Sequence, residues 1–508
     1  MLKKILIPVV FSLVLFLHVI KLDEIPMGFF VDETSIGNNA YLIAKYGFDE
    51  NKLPYPLFFK AFGEYKNPLY IYVNAVVFKV LGFSEFYLRS TSFLFFAIFI
   101  IVFYFLIKRI FPDNYYARVY ALISAGTLPW FFTVSRISFE VISQLTVIAF
   151  LLLYIYRTYE EDFPSSPYPN SKKLLLPTAT GFFLGLSVYS YTSSRLLAFL
   201  MALTVVLIYR ARRYLLRNIC FILSFMTSLI PYAIFIKRHP NALTVRFKET
   251  TYLYDPALSY LGKALLFVKN YISYFTPQYL LIKGDTNYRM GIGNFGLLYA
   301  AVFGLFIFWI YLAVRKRHVL ENKFVKLILA FLIISPVAGA MTKECPQSLR
   351  GILIGLFSLI LSAYAFDELK NYKARKLITT TVFITLIAQA SLFVFVYFFV
   401  YPPKTIEAFI GYGFKYAFKK GIDYNPKKLN LVNDEFFTYI RFYKYVLEKE
   451  GGYYNPALYN KTNGTCYLYY DKTEKADRTL PEVCKGIGYI DDGMTGSRFR
   501  VRCCQNSE

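Results

Sequence analysis

Apolar residues run through this chain in long unbroken stretches, not at alternating positions, and short polar connections separate the stretches. Ile5 to Ile20 is the first. Others follow at about 87–107, 118–134, 139–156, 174–192, 195–209, 216–236, 294–314, 325–341, 349–365 and 377–400. At ~1.5 Å per residue, runs of this length cross most or all of a ~30 Å hydrocarbon core. The pattern predicts an all-α polytopic membrane protein with about 11 transmembrane helices.

One further segment decides which side each loop faces. Asn67 and Pro68 read as an N-cap and first helical residue, and Leu69, Val73, Val76, Val77 and Val80 form one stripe. Gly82 ends a helix of about fifteen residues that carries Asn74 and Lys79, which suits a helix lying at the interface. The first outer loop, 21–86, is therefore expected to hold outer-face juxtamembrane helices.

Charge sets the orientation. Lys3 and Lys4 precede the first run and no small-residue cleavage site follows it, so an uncleaved span with a cytoplasmic amino end is expected. If the Pro68 helix does not cross, five loops on that side hold nineteen Lys and Arg residues, and the three short outer loops hold only Arg136, Arg195, Lys343 and Arg350. The long outer loop 237–293 runs against the pattern with eight basic residues, and is expected to form an anion-binding surface.

This division gives a transmembrane domain of residues 1–400 and a small α+β extracytoplasmic C-terminal domain of residues 401–508. A helix is expected over Asp434 to Glu450, with Gly451 as its stop. Cys466, Cys484, Cys503 and Cys504 favour disulfides over a metal site, because no His lies near them and the spacing is not C-x-x-C. Their pairing is not readable. Asn460-Lys461-Thr462 and Asn463-Gly464-Thr465 are acceptor sequons if the compartment glycosylates.

Composition narrows the function. At 56% hydrophobic and 20% aromatic over 508 residues, a soluble multidomain protein is excluded. The net charge of +24 sits in short clusters between apolar runs, the pattern of membrane orientation and not of nucleic-acid binding. There is no Walker loop and no G-x-G-x-x-G after a strand, and His18, His239 and His318 are too scattered for a zinc site.

The ionisable residues collect at one membrane face. Span interiors are nearly free of them, whereas outer loops and span ends hold Asp32, Glu33, Glu64, Lys66, Arg136, Glu140, Arg195, Lys283, Asp285, Arg289, Lys343, Glu344 and Arg350. There, carboxylates can act as bases and cations can hold an anionic lipid head group. A lipid or polysaccharide transporter or flippase, the alternative, would place charges near the midplane and show an internal repeat, and no repeat is visible. Within Phe29-Phe30-Val31-Asp32-Glu33-Thr34-Ser35, Asp32 has two readings. It either caps the helix marked by Ile36, Ala40, Ile43 and Ala44 and ended by Gly47, or it does chemistry. Arg136 and Glu140, four apart, have the bland reading of a helical ion pair, and Lys66 and Arg350 that of snorkelling at span ends.

Pro26-Met27-Gly28-Phe29-Phe30-Val31-Asp32-Glu33 and Phe62-Gly63-Glu64-Tyr65-Lys66-Asn67-Pro68-Leu69-Tyr70 closely resemble the first outer loop of bacterial and archaeal protein-mannosyltransferase-like enzymes. These are C-type membrane glycosyltransferases, alongside eukaryotic protein O-mannosyltransferases and the aminoarabinose transferases of lipid A. The resemblance continues through Ser135 to Glu140, Tyr189 to Arg195, Lys283 to Arg289 and Leu349-Arg350, and covers about residues 20–400.

The resemblance implies a GT-C-type fold, a polyprenyl- or dolichyl-phosphate sugar donor, a protein or glycolipid acceptor, an active site on the outer face and inversion in one displacement. Mannose or another hexose is the expected sugar. Asp32 matches the family's catalytic acid, with Glu33 beside it and Glu140 at a second acidic position. Lys66 matches the lysine that faces the lipid phosphate, and Arg195, Arg289 and Arg350 are the other expected phosphate ligands. Asn67 departs from the family's first proline in an E-K-P-P-L-like motif. No metal is expected to be required, although Asp32, Glu33 and Glu140 could clamp a divalent cation.

Overall fold

The computed structural model describes residues 2–161, 171–242, 244–316 and 320–406, and in the tail 408–409, 415, 429–431, 439, 442–443, 445, 466–470 and 499–503. The expected tail helix from Asp434 and both sequons fall largely or wholly outside these residues, as do the side chains of the four tail cysteines.

Helices follow the apolar runs. In chain order they are α1 (Leu2–Val19), α2 (Val31–Tyr46), α3 (Pro68–Leu81), α4 (Glu85–Ile110), α5 (Tyr115–Thr127), α6 (Pro129–Val134), α7 (Val141–Tyr159), α8 (Ser171–Ser187) and α9 (Ser194–Ile208). Then come α10 (Leu215–Ser228), α11 (Ile230–Arg238), α12 (Thr244–Thr250), α13 (Tyr260–Ser273), α14 (Ala300–Arg315), α15 (Lys323–Ile334), α16 (Val337–Ala340), α17 (Ser348–Glu368) and α18 (Arg375–Phe395).

Among the described residues, six helical segments are long and apolar enough to cross a membrane: Glu85–Ile110, Val141–Tyr159, Arg212–Arg238, Lys323–Ala340, Ser348–Asn371 and Arg375–Val400. Shorter apolar helices include Ile5–Val19, Pro68–Leu81, Leu174–Ser187, Ser194–Ile208 and Ala300–Arg315. Three runs that read as continuous are jointed at prolines. Pro129 opens α6, Pro231 sits in the first turn of α11, and Pro336 separates α15 from α16. A proline has no N–H to give the preceding turn, so the helix restarts there.

The contacts divide the chain into two units. The first comprises Met1–Ile20, Pro56–Val73 and Ser90–Tyr397; the second comprises Lys21–Tyr55, Asn74–Arg89 and Phe398–Glu508. In the first, α17 is central, buried along almost its whole length, and packs on α5, α7, α14 and α15. Lipid is as apolar as a leucine side chain, so close packing and hydrogen bonds must hold such helices together. Trp130 donates to the Ser348 carbonyl at 2.8 Å, and the Tyr120 and Ser362 hydroxyls meet at 2.9 Å. The Gly181 and Gly185 pair lets α8 lie directly on α10, where an added Cβ would overlap the Phe221 carbonyl or the Ser228 side chain.

A short ribbon in the same unit presents the residues that follow it. Strands β1 (Phe59–Ala61) and β2 (Glu64–Lys66) pair antiparallel, with Phe59 opposite Lys66. Phe62 and Gly63 at the turn both have positive φ, 52° and 76°, as a two-residue turn that follows the strand twist requires. The loop 237–293 is not a bare loop. It carries α12 and α13, and one of its eight basic residues, Arg246, is paired with Glu64 and Glu249.

In the second unit α2 is buried over most of its length, with Phe442 against Gly37. The tail contributes β3 (Leu429–Leu431), β4 (Cys466–Tyr470) and β5 (Phe499–Cys503), with β3 parallel and β5 antiparallel to β4 and Cys466 opposite Cys503 in the backbone register.

Candidate active site

The carboxylates at the start of α2 have separate surroundings. Phe30 is the N-cap, with extended backbone, and its N–H donates to Glu33 Oε2 at 3.0 Å. The acid that closes this helix end is therefore Glu33, three residues into the helix, and the capping job considered for Asp32 is already filled. Glu33 is buried against Arg89, whose Nε lies 3.2 Å from Oε1. Arg89, itself fully buried, also donates to the carbonyls of Leu22 at 3.2 Å, Pro26 at 2.8 Å and Gly28, and lies over the Phe29 ring at 4.3 Å. One guanidinium thus ties the 22–28 turn to the first turn of α2. Asp32 is left partly exposed in that first turn, near the positive end of the helix dipole.

In the other unit, Lys66, Glu140 and Arg195 gather around Asn67. The Asn67 main-chain N–H donates to Glu140 Oε1 at 2.8 Å, and its amide donates to Glu140 Oε2 at 2.9 Å and to Thr192 Oγ1 at 3.2 Å. Arg195 donates to the Asn67 amide oxygen at 2.9 Å and lies over Phe58 at 5.3 Å. Lys66 is buried at the end of β2, its ammonium 5.4 Å from the Phe62 ring, so it is no snorkelling residue on a helix. Burial pushes the Glu140 carboxyl up to about 7, against the opposing pull of the Lys66 charge and the two Asn67 donors.

The Tyr189 to Arg195 segment frames this cluster. Leu69 N–H donates to the Tyr189 carbonyl at 3.2 Å, Gln144 reaches Ser193 at 3.1 Å and Ser194 at 2.8 Å, and Tyr189 OH donates to the Ser228 carbonyl at 2.8 Å. Arg136 and Glu140 are not a helical pair. The chain leaves helix between α6 and α7, and Arg136, fully buried, donates to the carbonyls of Leu17, His18 and Ile20 at the end of α1.

Arg350 and Arg289 belong to a third group, at the start of α17. Asp285 accepts from Ser348 N–H at 2.8 Å, closing that helix end from a distant loop, and from Asn287 N–H at 3.0 Å. Burial raises the Asp285 carboxyl above its ordinary range, against the lowering effect of those N–H donors. Arg289 Nε donates to the Asn287 amide oxygen at 3.2 Å, while Arg350 donates to Thr342 Oγ1 at 2.8 Å and the Glu344 carbonyl at 3.3 Å. Helix α12 joins this group to the ribbon. Arg246 pairs with Glu64 at 3.0 Å, and at the carboxyl end of α12 the Thr250 carbonyl accepts from Lys343 N–H at 2.8 Å.

Arg89 is a residue that sequence reasoning did not single out; Asn67, read there as an N-cap and as a departure from the related motif, also holds Glu140 and Arg195. Arg89 offered one signal, a lone cation in the first turn of an apolar span. Among the described residues, no three His, Cys, Asp or Glu side chains converge as a metal site would require.

No family model and no curated protein matches the chain. Its fold is similar to that of ArnT from Cupriavidus metallidurans. Against the apo crystal structure the TM-score is 0.60 at 12% identity, covering 98% of this chain and 97% of that one. Against the structure bound to undecaprenyl phosphate it is 0.61 at 12% identity, covering 99% and 98%. The architecture is thus ArnT-like over nearly the whole chain, the GT-C-type fold implied by the sequence resemblance.

Proposed function

We propose that this protein is a membrane glycosyltransferase that moves a sugar, mannose or another hexose, from a polyprenyl- or dolichyl-phosphate donor to a hydroxyl on a protein or glycolipid acceptor. The observation that carries the reading is the ArnT-like fold over nearly the whole chain, one of those ArnT structures being bound to undecaprenyl phosphate. The buried Lys66 and the half-buried Arg195 around Asn67, with Arg350 and Arg289 at the start of α17, supply cations of the kind a lipid phosphate needs.

In this reading the protein spans the membrane about eleven times, with its amino end in the cytoplasm and its carboxyl end and active site outside. The acceptor oxygen attacks the anomeric carbon as its proton passes to Asp32. The bond from that carbon to the phosphate oxygen breaks with inversion, and the lipid phosphate departs with one more negative charge, which Lys66, Arg195, Arg289 and Arg350 offset. Glu33 holds the loop, Glu140 holds the Lys66 segment, and no metal is required.

Membranes containing the overexpressed protein, supplied with labelled polyprenyl-phosphate sugars, test this. Label should pass from lipid to a membrane or protein acceptor, insensitive to EDTA. Label that crosses the membrane while staying on the lipid would overturn the reading in favour of a transporter.

A further inference from the structure

A cavity of about 380 Å³ opens between α14 and α18, and none of the residues assigned to chemistry lines it. It falls in the range of about 300–1,000 Å³ typical of small-ligand sites. Ala301, Gly304 and Phe308 line it from α14, Ile378 and Val382 from α18, and Tyr372 from the connection after α17. Gly304 makes the slot. A Cβ there would meet nothing within 4 Å, so the missing side chain leaves open space and not a close helix contact. From Ala300 to Phe308 the wall is ~12 Å long, most of the ~15 Å depth of one leaflet. The Ala300 N–H donates to Gln389 Oε1 at 2.7 Å, which closes the far end.

The near end is basic. Arg315 and Lys316 end α14, and Lys373, Arg375 and Lys376 open α18; Lys316 lies 5.5 Å from the Tyr372 ring that lines the slot. Among the described residues none of these five is in an ion pair, whereas Lys370 nearby is bound to Asp367. This is the membrane face that the positive-inside pattern assigns to the cytoplasm, opposite the one expected for the chemistry.

We propose that this slot holds one acyl chain of an anionic phospholipid, with the phosphate on Lys316, Arg375 and Lys376. Charge decides the occupant. A basic rim over an apolar slot matches an anionic head group with its tail. A second copy of this chain docking through the same face would bring two basic rims together.

Native mass spectrometry of the purified full chain, titrated with phosphatidylglycerol or phosphatidylcholine, tests the assignment. Wild type should hold phosphatidylglycerol on the order of tenfold more tightly. Gly304→Leu should weaken binding of that lipid by a similar factor with an unchanged gel-filtration profile, because the leucine fills open space. Lys316→Gln/Arg375→Gln/Lys376→Gln should bind the two lipids equally, by loss of the anionic preference. Equal adducts in wild type, Gly304→Leu and the triple variant would overturn the site. So would a dimer mass that Gly304→Leu converts to monomer.

Discussion

Asn67 donates twice to Glu140, from its main-chain N–H at 2.8 Å and from its side-chain amide at 2.9 Å. A proline at this position, as in the related motif, has neither donor. This chain has therefore fastened the segment carrying Lys66 to the start of α7 by its own means. Asn67→Ala keeps the main-chain donor and removes the amide, which also releases Thr192 and Arg195. Loss of a hydrogen bond to a charged group should cost roughly 1.5–3 kcal/mol. Thermal unfolding in detergent should show a clear drop; an unchanged midpoint would mean that the Lys66 segment is held elsewhere.

Glu140 gives the protein a response to pH near neutrality. Its carboxyl is raised from an ordinary value of 4.5 to about 7, so the folded protein disfavours the charged form. The penalty is absent below about 4.5, grows between there and 7, and is complete above 7, reaching about 3 kcal/mol. Stability measured against Glu140→Gln should fall as pH rises through that window, with the variant lacking this slope. Donor lipid binding should also tighten as pH falls through about 7, because neutral Glu140 no longer offsets the Lys66 charge.

Much of the fold was legible because an apolar helix writes itself as an apolar run, and each run from 87–107 to 377–400 is helical over most of its length. Hydropathy does not register a joint, so the runs through Pro129, Pro231 and Pro336 look continuous although each proline lacks the N–H that a continuous helix uses. The readings left open at the site divide on one point, which is that partners distant in sequence outweigh local spacing. Arg136 and Glu140 sit at helical spacing, yet one goes to the carbonyls ending α1 and the other to Asn67. Asp32 and Glu33 look alike in the sequence, and Arg89, 56 positions on from Glu33, separates them. Asp285 closes α17 from 63 positions away, and no local motif announces it.

Arg89→Ala should be among the most damaging single changes outside the reacting groups. It leaves the Glu33 carboxylate buried without its cation and frees three carbonyls, a loss of about 3–5 kcal/mol. Arg89→Lys should recover little, because an ammonium lacks the planar fork that reaches these acceptors together. Thermal unfolding of the two variants checks this; a stable Arg89→Lys protein would contradict it.

Lys66 and Lys60 sit on the same ribbon, one buried and the other exposed. If Lys66 stabilises the departing phosphate, Lys66→Ala should lose on the order of 2–4 kcal/mol of transition-state stabilisation. Lys60→Ala should retain transfer. Equal transfer rates in the two variants would remove Lys66 from the site.

The role of Asp32 is the centre of the account, and sugar transfer by Asp32→Asn measures it most directly. Glu33 already closes the helix end, so the substitution removes basicity without removing the cap. A positioned carboxylate base typically contributes a factor of about a hundred to ten thousand. The variant should fold, bind labelled donor lipid as the wild type does, and lose transfer by at least two orders of magnitude. Transfer near the wild-type rate would contradict the account and send the search for the base elsewhere.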